Sequence, residues 1–529
     1  MDGEKLDRAQ YILAMYDIRG KQEFIYKSNK IKEIVGASYI IRDCFKDYLY
    51  PAAGEVQSKG LFCYEENGWE DFTPEGFERH LQEGYIGEVI YDGGGNFFVL
   101  YKDLEIYREV NRRFYRKLLE GTYSLRVLTS YIEEVHFDDY PADQRSLYQK
   151  HRKREQAEST LYPVNTLPIV QTDYRTSLPL AELQRIGKEE EKVSYESKRK
   201  YIKYEEIDKE QSEERQIQGS RILDEMITEK GEESLLAVVY IDGNNMGTQV
   251  EQCLGKKKTY EECIKALREF SAEIQRHYIT DRIQDVDRLL DGKTEANKGR
   301  RFVVYAGDEV TFICNARDAY GVAKEYLKRL AESSPQETPR TSCAGIAVFH
   351  SHAPFPEAYR IAEECCESGK QLMKKEEIRY ASLIDFHYCQ GAFDVSLEEI
   401  RKEEGIEEIS RPWFVECMED RENTELIKGK YISCEIAERM AKLLFDAGRG
   451  NLKTLAFSAR KNPADFRTEL ERIKAHQKDK KLDFSLGGIL DEEMQQKLIY
   501  DIALVYDLWF DPEKHKADCR DQGKEQTEA

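Results

Sequence analysis

The stretch Tyr305-Ala306-Gly307-Asp308-Glu309-Val310 organises the reading of this sequence. Arg301 to Tyr305 and Val310 to Cys314 are β-rich runs on either side of a short turn, which predicts a hairpin with Asp308 and Glu309 at its tip. Leu235 to Tyr240 is a third such run, closed by Ile241-Asp242-Gly243-Asn244-Asn245-Met246-Gly247. With that strand beside the hairpin, Asp242 and Asp308 converge at one end of a sheet, where paired carboxylates hold magnesium through oxygen ligands.

Outward from the hairpin the order is strand Leu235 to Ile241, helix around Tyr260 to Leu290, the hairpin, helix Asp318 to Ala331 and strand Ser342 to Phe349. This is βαββαβ, a ferredoxin-like unit. Pro356 to Met373 and Tyr380 to Phe386 append a further helix and strand. The same order is read upstream: strand Tyr11 to Ile18, helix Ile31 to Leu49, a hairpin of Gly87 to Tyr91 and Asn96 to Tyr101 across Gly93-Gly94-Gly95, helix Leu104 to Leu119, strand Ser124 to Val135. The expected fold class is therefore α+β, with two ferredoxin-like βαββαβ palms.

The two units form a weak internal repeat. Leu13-Ala14-Met15-Tyr16-Asp17 echoes Ala237-Val238-Val239-Tyr240-Ile241-Asp242, and Gly94-Gly95-Asn96-Phe97 echoes Gly307-Asp308-Glu309-Val310, with the register open by one residue. The first unit keeps a carboxylate in Asp17 but has Gly95 and Asn96 where the second has Asp308 and Glu309. One palm reads as metal-competent and the other as degenerate.

Residues 150–230 crowd charges together, as in Lys150-His151-Arg152-Lys153-Arg154 and Glu189-Glu190-Glu191, and read as a connector of solvated helices. After about Ser396 the pattern is helical to the end, clearest over Ile436 to Phe445, Pro463 to Ile473 and Glu492 to Leu508. The expected domains are 1–149, the degenerate palm; 150–230, the charged helical connector; 231–395, the catalytic palm; and 396–529, a C-terminal helical domain.

The 529 residues carry 80 Lys+Arg against 101 Asp+Glu, a net charge of −21, which argues against general affinity for nucleic acid backbones or anionic membranes. The first eight residues lack the apolar core of a signal peptide, and no run is long enough to span a bilayer, so a cytoplasmic protein is expected. The twelve cysteines are scattered without C-x-x-C spacing and read as buried free thiols rather than a zinc site.

Transfer of a nucleotidyl group needs charge neutralisation and an attacking oxygen held in line, and two metal ions about 3.5 to 4 Å apart supply both. Asp242 and Asp308 are the candidate bridging ligands, with Glu309 a further one. Gly243-Asn244-Asn245-Met246-Gly247 is a small-residue turn whose N–H groups can approach phosphate oxygens, as can the turn at Gly307. Lys370 is a candidate countercharge for a triphosphate. Asp17 reads equally as a ligand and as a helix cap.

At these residues the sequence resembles the large, polymerase-like subunit of type III CRISPR effector complexes, the family of cyclic oligoadenylate synthetases. The resemblance rests on Asp17-Ile18-Arg19-Gly20-Lys21-Gln22, Gly36-Ala37-Ser38 and Gly93-Gly94-Gly95-Asn96 in the first palm. In the second it rests on Asp242 to Gly247, Ala306-Gly307-Asp308-Glu309, and Ala344-Gly345-Ile346 with Lys370. It implies a G-G-D-D tip, here altered by Ala306 and Glu309. It implies two ATP molecules bound between facing palms, Asp242 and Asp308 as ligands of Mg²⁺ or Mn²⁺, and Ser38 and Gly94 lining the degenerate palm's ATP site.

It implies partners too: other effector subunits and, through them, guide and target RNA. The family's HD nuclease module is not expected, since no His-Asp dipeptide occurs and the first palm starts by residue 11. Nor is the zinc-binding insertion between palms, since no cysteine lies between Cys63 and Cys253. The expected activity is joining ATP units through 3′-5′ phosphodiester bonds into a cyclic messenger for antiviral defence. The alternatives are a diguanylate-cyclase-like synthase and a non-catalytic nucleotide-binding scaffold of an RNA-guided complex.

Overall fold

Ile12–Arg19 (β1) is buried along nearly its whole length, the mark of a central strand covered on both faces. This computed structural model describes residues 11–28, 30–93, 95–157, 169–186, 189–209, 226–227, 234–290, 299–334, 339–389, 395–403, 409–418, 427, 429–477 and 482–510. With Leu61–Phe62 (β2), Gly87–Gly93 (β3), Asn96–Tyr101 (β4) and Arg126–Ile132 (β5), β1 forms a sheet of order β2-β3-β4-β1-β5. β1 runs antiparallel to both β4 and β5, as the ferredoxin-like order requires. Helices Ile31–Arg42 and Leu104–Thr122 make the crossovers, the second capped by Asp103, which accepts from the Ile106 N–H at 2.8 Å.

The chain packs as two units, the first holding residues 1–217, 246–279 and 303–308, the second 218–245, 280–302 and 309–529. The connector up to residue 217 thus belongs to the first unit, and it is not all solvated helix. Leu180–Ile186 (β6) and Glu189–Ser194 (β7) form an antiparallel hairpin, and helix Tyr195–Lys209 buries Lys200, Tyr201, Tyr204 and Ile207. The charges misled because several pair inside the protein: Lys200 Nζ donates to Glu196 Oε1 and to the Phe24 carbonyl, both at 2.6 Å. Gly36 lets this helix lie flush on Ile31–Arg42, since a Cβ there would sit 2.0 Å from the Lys200 carbonyl oxygen.

The expected long helix over Tyr260 to Leu290 is three consecutive helical segments, Tyr260–Ile274, Gln275–Thr280 and Asp281–Leu290. The first buries Tyr260, Cys263, Ile264 and Leu267 in the same core as Leu13, Met15, Phe98 and Leu100 of the first sheet. Its Arg268, buried, lies 3.9 Å from the Tyr64 ring centroid and donates to the carbonyls of Glu70, Val89 and Ile90.

In the second sheet the order is β13-β12-β11-β8-β10-β9, from Leu235–Gly243 (β8), Arg300–Ala306 (β9), Glu309–Asn315 (β10), Ser342–His350 (β11), Ala381–Tyr388 (β12) and Trp413–Cys417 (β13). The core β11-β8-β10-β9 repeats the ferredoxin-like order, and β12 extends it parallel to β11. β13 corrects the expectation of helix throughout the C-terminal region. Five residues, Trp-Phe-Val-Glu-Cys, are too short to show a period, yet they pair antiparallel with β12.

Beyond it, helices Cys434–Ala447, Arg449–Lys461, Pro463–His476 and Glu492–Val505 pack together, and Trp509 Nε1 donates to the Ala316 carbonyl at 2.8 Å. Among the described residues every cysteine is a free thiol, and no helix is long and apolar enough to cross a membrane.

Candidate functional site

β8 delivers Asp242 to the end of the second sheet. On one side β11 sets Cys343 opposite Asp242. On the other, β10 pairs Val310 with Ile241, so Glu309, one residue on, stands opposite Asp242. Gly307 and Asp308 form the turn that precedes β10, with Gly307 at φ +65°, a left-handed conformation that glycine adopts without steric cost. In the first sheet Asp17 pairs with Asn96. The two registers close the one-residue ambiguity of the repeat: Asn96 is the counterpart of Glu309, and Gly95 of Asp308.

Lys370 reaches Asp242 because helix Phe355–Lys375 lies unusually close to β11. A Cβ at Gly345 would fall 1.8 Å from the Ala362 carbonyl oxygen, and one at Gly369 would fall 3.1 Å from Cys343 Sγ. From that seat Lys370 Nζ donates to Asp242 Oδ2 at 2.5 Å and to the Gly243 carbonyl at 2.9 Å. Both side chains keep about a quarter of their surface, 27% for Asp242 and 26% for Lys370. Burial works against the ammonium charge, but the Asp242 carboxylate outweighs it and holds the lysine pKa above its ordinary value.

Two tyrosines join the site that motif reading passed over. Tyr359, on the same helix as Lys370, donates to Glu309 Oε1 at 3.3 Å, and its ring meets Tyr240 edge-on at 5.4 Å. Burial first, then the Glu309 and Asp242 carboxylates, push the Tyr240 hydroxyl's pKa upward and keep it neutral. The signal in the sequence was the helical spacing of Tyr359, Ala362, Cys366, Gly369 and Met373, which marks one face of that helix.

The turn after β8 is braced from within. Asn244, buried, donates its backbone N–H to the Thr341 carbonyl at 3.0 Å, and its Nδ2 donates to the Ala381 carbonyl at 2.9 Å. Asn245 sits at φ +57°, which asparagine tolerates, and donates to the Arg379 carbonyl at 2.9 Å. Both amide groups therefore hold backbone, and what the turn offers a ligand is its main chain. Around Gly247 there is open space, with no atom beyond its own helix and adjoining residues within 4 Å of where a Cβ would stand.

In the first palm Asp17 has partners within its own unit: Arg19 Nη1 donates to Oδ2 at 2.9 Å, and His151 Nε2 lies 3.3 Å from it. Ser38 is half-buried on helix Ile31–Arg42. Gly95 is at φ +78°, overlaid by Lys21. Gly94 lies outside the described residues. The structure thus brings Asp242, Gly243 and Lys370 together and sets Glu309 beside them, while Asp17 is paired with Arg19 in the first palm.

A divalent metal fits this donor set under one condition. Among the described residues no group of three or more His, Cys, Asp or Glu side chains could form a complete cage. Magnesium needs only one or two protein carboxylates when triphosphate oxygens complete its shell, so the residues suit a metal that arrives with nucleotide.

Residues 235–379 match the family model of the Cas10/Cmr2 second palm domain, and the resemblance read from the motifs holds for that segment. No curated protein matches the chain in sequence. Among solved structures, a Csm1-Csm4 cassette in complex with cA4 is similar at 12% identity and TM-score 0.46, covering 94% of this chain and 70% of that one. The apo Csm1-Csm4 cassette is similar at 12% identity and TM-score 0.46, covering 95% and 71%. Csm1 of T. onnurineus is similar at 12% identity and TM-score 0.37, covering 71% and 52%.

Proposed function

We propose, from a second palm that matches Cas10/Cmr2, that this chain is a nucleotidyltransferase joining ATP units into cyclic oligoadenylate for CRISPR-type antiviral defence. In each step a ribose 3′-hydroxyl attacks the α-phosphorus of an ATP or, at ring closure, of the linear oligomer's own 5′-triphosphate; a 3′-5′ phosphodiester forms, pyrophosphate leaves and the hydroxyl proton passes to solvent. The observation that carries the reading is Asp242 at the open end of β8, opposite Glu309 and bonded to Lys370.

Asp242 and Asp308 would hold Mg²⁺ or Mn²⁺, with Glu309 kept in orientation by the Tyr359 hydroxyl. When bound, the metal supplies charge neutralisation at the phosphates and a lowered pKa for the attacking hydroxyl. Lys370 supplies a fixed positive charge to the triphosphate, and the backbone from Gly243 to Gly247 supplies N–H donors. The first palm contributes an ATP seat near Ser38 and Gly94 rather than a metal pair, since Asn96 occupies the register position of Glu309. Companion effector subunits, and guide and target RNA through them, are the proposed partners.

Ala306 and Glu309 in place of a Gly and an Asp favour one alternative, a nucleotide-binding scaffold whose acidic tip is a remnant. Incubating the purified chain with each nucleoside triphosphate and Mg²⁺ or Mn²⁺, alone and with companion subunits and target RNA, separates the two. Mass spectrometry is expected to find adenylate oligomers with 3′-5′ linkages. Nucleotide binding without product under every condition would leave the scaffold.

A further inference from the structure

The end of β9 that leads into the acidic turn is anchored outside its own sheet. Residues 303–308 pack with the first unit, and there the Tyr305 hydroxyl lies 2.6 Å from the Tyr39 hydroxyl. The rings meet edge-on, with centroids 6.2 Å apart and planes at 81°. Tyr305 is three residues before Asp308 along the chain. At Gly307 between them, no atom beyond the adjoining residues lies within 4 Å of where a Cβ would stand.

Tyr39 is itself fixed. It is 3% exposed and packs with Val35 of its own helix and with Tyr204 and Ile207 of the connector helix Tyr195–Lys209. The Arg42 guanidinium lies 4.3 Å from its ring centroid and is held by Asp43 through bonds of 2.7 and 3.1 Å. Lys203 of the connector helix bridges Asp43 at 3.0 Å and Asp47 at 2.7 Å. A phenylalanine would fill this apolar seat equally well; the hydroxyl's use is the bond to Tyr305.

We infer that Tyr39 is a positioning residue for the Gly307-Asp308 turn, acting through its hydroxyl bond to Tyr305 and seated by the connector helix. The inference rests on reading that turn as part of the nucleotidyl-transfer site. It makes the connector a support of the site, because Tyr204 and Ile207 set where Tyr39 stands.

The test is Tyr39→Phe, which keeps the ring and deletes the hydroxyl, followed by hydrogen–deuterium exchange on the full chain. Exchange over residues 303–310 should rise about fivefold, the scale of one net hydrogen bond, with exchange over 31–42 and the Tm unchanged. Tyr305→Phe deletes the same bond from the other side and should match it, and the double variant should be no faster than either single one. Unchanged exchange at the turn in both single variants, or effects that add in the double, would overturn the inference.

In the ATP assay Tyr39→Phe should raise the Mn²⁺ concentration for half-maximal rate by about threefold or more, with KM for ATP within about twofold. An unchanged Mn²⁺ requirement in an active enzyme overturns positioning while leaving the proposed function standing. A wild-type chain without product defeats the proposed function, and the exchange measurement still decides on Tyr39.

Discussion

Lys370 Nζ is bonded to Asp242 Oδ2 at 2.5 Å, so the carboxylate proposed to hold metal already has a cation of the protein's own against it. Lys370→Gln should therefore tighten Mn²⁺ binding to the nucleotide-free chain, read by paramagnetic resonance titration. The same change should raise KM for ATP by about tenfold or more, since a charge on the triphosphate is lost. Weaker Mn²⁺ binding in the variant would show that Lys370 does not compete for Asp242.

Asp308→Asn is almost isosteric and should abolish product while leaving the Tm and far-UV spectrum at wild-type values. Wild-type turnover in that variant would sink the two-carboxylate assignment.

The close seat of helix Phe355–Lys375 makes Gly345 a sensitive position, with 1.8 Å between a would-be Cβ and the Ala362 carbonyl. Gly345→Ala should cost about 1–3 kcal/mol by overpacking and draw Lys370 away from Asp242. Stability in urea and KM for ATP should move together; a change in one without the other would separate the helix seat from the lysine.

A buried charge cluster ties the C-terminal region to the second sheet. Arg401 donates to Asp385 at 2.8 and 3.1 Å, while Asp501 accepts from Ser410 and lies 3.1 Å from Arg411 Nε. Burial would raise the Asp385 carboxyl, but Arg401 and Arg411 outweigh it and hold its pKa below the usual range. The folded value is depressed, so this contribution to stability is present above the ordinary carboxylate pKa, about 4, and is lost as pH falls through the lower folded value. Arg401→Met should cost about 3–5 kcal/mol at neutral pH and move acid unfolding to higher pH. Circular dichroism across a pH series would detect it, and an unshifted acid transition would contradict the pairing.

Asp17 is committed to Arg19 and His151, whereas its counterpart Asp242 faces the acidic hairpin. Asp17→Ala should leave measurable product formation where Asp242→Ala leaves none, and Ser38→Trp should lower turnover sharply by filling the acceptor seat. Initial rates of the three folded variants decide it. Equal loss in Asp17→Ala and Asp242→Ala would make the first palm catalytic in its own right.

Both βαββαβ orders, the hairpin and Asp242 at its strand end were legible because each rests on period and turn chemistry within a short window. Tyr359 and Tyr39 were not, since what each contributes depends on a partner 50 or 266 residues away in sequence. The hairpin β6-β7 was hidden by charges that the fold pairs internally, as at Lys200 and Glu196. Gly36 and Gly345 were noted as motif letters, while their steric use, letting helices lie flush on Lys200 and Ala362 backbone, is a property of packing alone.

The helix Tyr260–Ile274 completes the core that Leu13 and Met15 begin. On the ribosome, that core has no final layer when residue 217 emerges and gains it only after residue 279 does. At about 5–20 residues per second the wait is on the order of several seconds. Through that interval the nascent chain carries the uncovered face of its first sheet. A stall or truncation between these two points would yield an aggregating fragment instead of a half-sized palm.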